Sequence, residues 1–110
     1  MLSFEHFVKL DVRVGRVMRV ERFPEARKPA YKLTIDFGPE IGIKRSSAQL
    51  TARYEPADIA GTLVLAVVNL APRQIGPFVS EALTLGVPDA DGAVVLLRPD
   101  MDVPTGGRMF

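Results

Sequence analysis

The chain has no cysteine, no tryptophan and a single histidine, and its longest apolar run is the short stretch from Leu63 to Val68. Without cysteine there is no disulfide framework, no thiolate nucleophile and no thiolate-bound zinc. A run that short cannot cross a bilayer, which takes about 20 apolar residues in a helix. The opening MLSFEHFVKLD mixes acids and bases and has no uninterrupted apolar stretch, so neither membrane insertion nor a secretory signal is expected, and a cytoplasmic location is. His6 stands alone, whereas a metal site needs three or four converging ligands; no metal and no cofactor are expected. Ser46-Ser47 lack a G-x-S-x-G elbow and a nearby histidine, so they read as a cap for a helix beginning near Ala48. Asp100 and Asp102 read as an exposed acidic turn, and Gly106-Gly107 lack the Lys-Ser/Thr of a phosphate loop. No catalysis is expected from this inventory.

What is present is an ordinary globular composition, 47% hydrophobic and 25% charged, enough for one domain spanning residues 1–110. The net charge of +1 conceals an uneven distribution. Residues 1–55 carry eleven Lys/Arg against seven Asp/Glu, and residues 56–110 carry three against six. Folding can gather these into a basic face and an acidic one, or leave them dispersed over solvated strands.

Strand signals dominate. Ser3 to Leu10 predicts a short amphipathic N-terminal helix, with Phe4, Phe7 and Val8 on one side. The valine-rich Asp11 to Phe23 predicts a strand bent at Gly15, which divides Arg13, Arg16, Arg19 and Arg22 between two faces. Tyr31, Leu33, Ile35 and Phe37 alternate with polar residues. Further strands are expected from Ile41 through Ser47, over Leu63 to Val68, over Val79 to Leu85 and over Val94 to Leu97, with a small helix at Ala48 to Tyr54. Five or six short strands, one helix between the third and fourth, and frequent Gly/Pro turns predict an all-β, small closed barrel.

The segment Thr62 to Leu85 carries the candidate site. A buried strand ends at Asn69, Pro72 excludes a central strand position, and Arg73 supplies a planar cationic fork. Ser80 follows across a Gly76-Pro77 turn. Asn69, Arg73 and Ser80 are thereby expected at one rim, able to meet base edges or a ribose hydroxyl, with Lys44 and Arg45 meeting phosphates. Two local alternatives stand beside this: Asn69 bonding its own turn, and Arg73 pairing with Glu81. Among the aromatic residues, Tyr31, Phe37, Phe4 and Phe7 read as core. Phe23, Tyr54, Phe78 and Phe110 remain for exposed roles, too few for the stacked platforms of a general single-strand binder.

Four segments in order resemble one family: FPEARKPAYKLTIDFG (residues 23–38), IGIKRSSAQLTARY (residues 41–54), AVVNLAPR (residues 66–73) and VVLLRPDMDVPTGGRM (residues 94–109). They are similar to the tRNA-binding modules of the EMAP-II type, most closely to stand-alone CsaA-type proteins described as export-related chaperones. The resemblance covers nearly the whole chain. It implies an OB-fold, a five-stranded barrel with a short helix between strands 3 and 4, and tRNA contacts at Asn69, Pro72, Arg73, Ser80 and Leu83. Glu81 and Leu83 stand where RNA-binding members typically have Gln and Met. Like the loop Glu25-Ala26-Arg27-Lys28, they point to the CsaA branch. For that branch the resemblance implies a homodimer that holds extended peptides of unfolded secretory preproteins. Phe4, Phe7, Phe78 and Phe110 are the apolar candidates for peptide or dimer contacts, with a plug over a barrel end as the alternative for the two termini.

Overall fold

The computed structural model describes residues 1–110. It runs α1 (Phe4–Lys9), β1 (Val12–Arg22), β2 (Tyr31–Asp36), α2 (Gly38–Ile41), β3 (Ile43–Ala48), α3 (Pro56–Ile59), β4 (Leu63–Val67), β5 (Arg73–Ile75), β6 (Phe78–Ser80), β7 (Leu83–Thr84), β8 (Gly86–Pro88) and β9 (Val94–Leu96). One antiparallel sheet has the order β3-β2-β1-β4-β7, and β5–β6 and β8–β9 form two separate hairpins. The long β1 makes this possible. Its first half pairs with β4 and its second half with β2, Arg16 being shared between the two ladders.

Two features let β1 serve both partners. A Cβ on Gly15 would lie 2.4 Å from Ile35 Cγ2 and 2.7 Å from Phe37 Cε1, so the glycine admits the side chains of the β2 strand close against the β1 backbone. The irregularity expected at Gly15 falls at Met18 instead: Val17 opposes Ile35, but Arg19 opposes Thr34, leaving Met18 as the extra residue. That inserted residue restores the inward position of Val20 and sends Met18 out to solvent. Inside, Val17, Tyr31, Leu33, Ile35, Phe37, Leu50 and Val64 form the main core.

Barrel closure between β3 and β7 is made largely by side chains. Arg45 N–H donates to Glu81 Oε1 at 3.0 Å, and Ser47 N–H donates to Ser80 Oγ at 3.0 Å. In return the Arg45 carbonyl accepts from Glu81 N–H at 2.8 Å, and the Ser46 and Thr84 hydroxyls bond at 2.8 Å. This clasp breaks the single strand expected over Val79 to Leu85 into β6 and β7, with Glu81 and Ala82 between them. It also engages Ser46, wholly buried, which therefore caps no helix. The result is a nearly closed five-stranded barrel, an OB-fold.

The helix expected at Ala48 to Tyr54 lies later, at Pro56–Ile59. Glu55 and Asp58 form a capping box around it and Pro56 opens it, both good reasons for a helix to start there rather than at Ser47. It still separates β3 from β4. No helix is long and apolar enough to cross a membrane.

A second, smaller core lies outside the barrel. Phe23 and Phe78 meet edge to face with centroids 5.3 Å apart, joined by Ala30 and flanked by Ala26 and Ile75. Both rings are only 4% exposed. This reverses the expected assignment of the aromatics: Phe23 and Phe78 are buried, whereas Phe4 is 77% exposed and Phe7 lies at the surface with it. The amphipathic stripe of α1 has no buried residue. Tyr54 is half-buried, its hydroxyl accepting from Leu96 N–H at 3.0 Å.

Candidate nucleic-acid interface

The satellite core fixes two loops on one side of the barrel. Phe23, Ala26 and Ala30 anchor the loop after β1, and Ile75 and Phe78 anchor the β5–β6 hairpin. That hairpin turns through Gly76-Pro77, with Gly76 at φ +56, a value that favours glycine at the first position of a two-residue turn. Between the two loops lies a groove of about 510 Å³ lined by Arg27, Lys28, Ser47, Gln49, Arg73 and Ile75, with Ala26 and Ala30.

The electrostatics of the groove follow from what its cations lack. Arg16, Arg19, Arg22, Arg45 and Arg108 each lie within 4.0 Å of one carboxylate, and Arg13 and Arg53 each of two. Arg27, Lys28 and Arg73 form no such pair, and the anticipated Arg73–Glu81 bridge is absent because Glu81 is drawn into the β3 clasp. Three uncompensated positive charges around a polar groove attract a polyanion, and each adds a salt-dependent contribution.

Next to the groove is a second, smaller cavity of about 290 Å³, sharing Ser47, Arg73 and Ile75 and adding Leu70, Ala71, Ser80, Glu81, Ala82 and Leu83. Leu83 is half exposed here, beside Leu70. Ser80 sits directly opposite Arg73 in the hairpin register. Its hydroxyl accepts from Ser47 N–H and donates to the Ala82 carbonyl at 3.3 Å, so it is first a structural clasp and only through its remaining lone pair a ligand group.

The other expected site residues separate. Arg45 and Ser47 share the outer face of β3. Lys44 opposes the wholly buried Ile35, which gives it inward parity at the strand's beginning and removes it from the groove. Asn69 lines neither cavity. Its Oδ1 accepts from Asp11 N–H at 3.0 Å and its Nδ2 donates to the Lys9 carbonyl at 2.8 Å, tying the end of α1 to the barrel. Pro72 is exposed and immediately precedes β5, holding the chain extended into Arg73. Phe78 offers no surface to a peptide or a second subunit, being the buried centre of the satellite core. Phe4, Phe7 and Phe110 instead frame a cavity of about 230 Å³ with Val8, Leu10, Arg108 and Met109. Sequence reasoning missed Ser47, Gln49, Arg27 and Lys28 as one group. The polar ending of β3 and the charged tip between Pro24 and Pro29 were visible, but not their meeting.

A small OB-fold barrel with an uncompensated cationic groove on its outer face has the charge to attract a polyanion. The family model described as a putative tRNA binding domain matches residues 12–108, and the chain belongs to that family. Its structure is similar over its full length to the chaperone CsaA of Bacillus anthracis, at 51% identity and a TM-score of 0.92, covering 100% of this chain and 99% of that one. It is likewise similar to the CsaA chaperone protein of Picrophilus torridus, at 45% identity and a TM-score of 0.94, covering 100% of both. Methionine–tRNA ligase of Flavobacterium johnsoniae is 32% identical over 109 residues, which is 99% of this chain but 15% of the ligase. The chain thus spans about 15% of the length of the curated relatives it matches.

Proposed function

We propose that this protein is a non-catalytic, cytoplasmic tRNA-binding OB-fold protein of the CsaA type, which grips folded RNA in the groove between its two anchored loops. The observation that carries this reading is the convergence of Arg27, Lys28 and Arg73, none of them paired with a carboxylate, around Ser47 and Gln49. A fork-shaped guanidinium holds phosphate oxygens bidentately, and the neighbouring hydroxyl and amide suit ribose or base edges. The family match and the ligases that contain a related barrel support the same class of ligand.

Gel-shift titration with bulk tRNA tests it. Affinity falls steeply as salt rises, and Arg73→Ala weakens binding by about tenfold while lowering the log–log salt slope by about one. Stability of that variant stays within about 0.5 kcal/mol of the parent, because the side chain is exposed and unpaired. Binding that is indifferent to salt, or that survives the joint loss of Arg27, Lys28 and Arg73, sinks the reading.

A second reading, an export-related chaperone holding unfolded secretory preproteins, is favoured by one observation. The exposed Phe4, Phe7 and Phe110 around a shared apolar cavity form a surface that a second copy of the chain, or an extended peptide, would cover. Homodimerisation through this surface belongs to the proposal. Light scattering at micromolar concentration that finds a monomer removes it. A denatured client whose aggregation the protein does not slow removes the chaperone role.

A further inference from the structure

Arg45 differs from the groove cations in what surrounds it. Its guanidinium carbon lies 4.6 Å from the centroid of the Phe78 ring, and its Nη2 donates to Glu21 Oε1 at 3.2 Å. Beside it Lys32 Nζ lies 5.5 Å from the centroid of Phe23. The two buried rings of the satellite core are thus each covered by a cation. Arg45 is fixed from below by the ring, at one edge by Glu21, and along its backbone by the closure clasp to Glu81. Its side chain nevertheless remains 42% exposed. What it presents is therefore the planar guanidinium, held in place, one β-pleat from Ser47 in the wall of the groove.

We propose that Arg45, seated on Phe78, is a stacking platform for one unpaired base of the bound RNA, and not a phosphate contact. Phe78 itself cannot serve, because it is 4% exposed and Arg45 is its cover. A phosphate at Arg45 would compete with Glu21, whose carboxylate already offsets the charge and also lies 3.5 Å from Arg19. Stacking on the side away from Phe78 would not need the edge that Glu21 holds, and the side chain is 42% exposed. Guanidinium planes accept bases in RNA recognition, and a plane that is already immobilised loses little rotamer freedom on binding. No exposed aromatic ring lies beside the groove, and Arg45, unlike the groove's Arg27 and Arg73, has its guanidinium held by a ring and a carboxylate. The inference rests on the proposed RNA-binding groove and adds to it a site for a base.

Arg45→Lys separates the two roles, because it keeps the positive charge and the backbone clasp while removing the plane. We expect tRNA affinity to fall about tenfold, the range of a lost stacked base, with the salt slope unchanged. A set of tRNA transcripts, each carrying 2-aminopurine at one unpaired position, supplies a readout that folding alone does not move. One position should change fluorescence on binding the parent protein, and lose that change with Arg45→Lys. Arg45→Lys binding within twofold of the parent overturns the platform, as does a parent protein that alters no probe. The platform also falls if Arg45→Lys loses a tryptophan-containing peptide while tRNA binding is untouched. If Arg73→Ala is without effect but Arg45→Lys weakens binding, the groove reading fails alone. Thermal melting of each variant confirms the fold, and the probe measurement on the parent stands even where the variant does not fold.

Discussion

The end of the barrel where α1 and the C-terminal segment meet β1, and the outer face beside β3, use the same residue type in contrasting ways. At the first, Arg13 is buried and held by Asp11 at 2.6 Å, Glu40 at 3.2 Å and the Gly106 carbonyl at 3.0 Å, while Arg108 reaches Asp11 and the Val8 carbonyl. Around it the last residues bind back along β1, through Gly106 N–H to Val14 O and Met109 N–H to Val12 O. At the second, Arg27, Lys28 and Arg73 have no acidic partner. An arginine surrounded by carboxylates has its field cancelled and contributes to folding; one left alone keeps its field for an external anion. The sign of a residue's charge says little about its role until its neighbours are known.

The contrast breaks most visibly at Arg13. The hydrogen bonds that Arg13 donates to Asp11, then to Glu40, hold its guanidinium more firmly protonated than usual. Arg13→Ala should cost about 1–3 kcal/mol of stability, read from urea unfolding, because the Gly106 carbonyl loses its donor and Asp11 keeps only the longer contact to Arg108. RNA affinity per folded molecule should not change. If Arg13→Ala instead leaves stability intact and weakens RNA binding, the division between structural and ligand-facing arginines is wrong.

A smaller effect is expected at Ser80, which joins the two categories. Ser80→Ala leaves the Ser47 N–H without its side-chain acceptor and should cost about 1–2 kcal/mol by denaturant unfolding. A loss confined to RNA binding, with stability unchanged, would move Ser80 from the clasp to the ligand site. The smallest effect is expected where an exposed ion pair ties a loop to a hairpin. Arg53 donates to Asp89 at 2.6 Å and to Asp91 at 3.0 Å. The bond from Arg53, more than those from the Ala93 and Asp91 backbones, holds the Asp89 carboxyl below its ordinary value. A carboxylate depressed on folding adds stability above its unfolded value and loses it as pH falls through the folded one. Thermal melting across the acid limb should therefore show the parent losing a small increment below the ordinary aspartate range that Asp89→Asn lacks. Parallel curves for the two would show that this pair is inert.

Much of the barrel was legible. Strict alternation over Tyr31 to Phe37 located β2 and its inward face, because a period of two has one solution when one side must be buried. The five strands were legible as a set, and so was a short helix between the third and fourth, though not its position. Positions that depend on cross-chain contacts were not. Met18 carries the bulge although Gly15 looks more pliable, since Gly15 is required for the approach of Ile35 and Phe37. The small helix follows the capping box at Glu55 and Asp58, a local signal that was present in the sequence but outweighed by the apparent serine cap. Aromatic burial was the largest departure: Phe23 and Phe78 lie 55 positions apart in sequence, and neither has a local pattern that announces a partner.

Local chemistry alone determined the alternating strands, the glycine and proline turns, the absence of thiol chemistry and the exclusion of Pro72 from a central strand position. Tertiary structure decided which cations are free. Arg27 and Lys28 become neighbours of Arg73 only because two phenylalanines from distant loops bury each other and bring the loops together. The physical reason is that hydrophobic contact carries no sequence address, whereas the charges it gathers then act at a distance set by that contact.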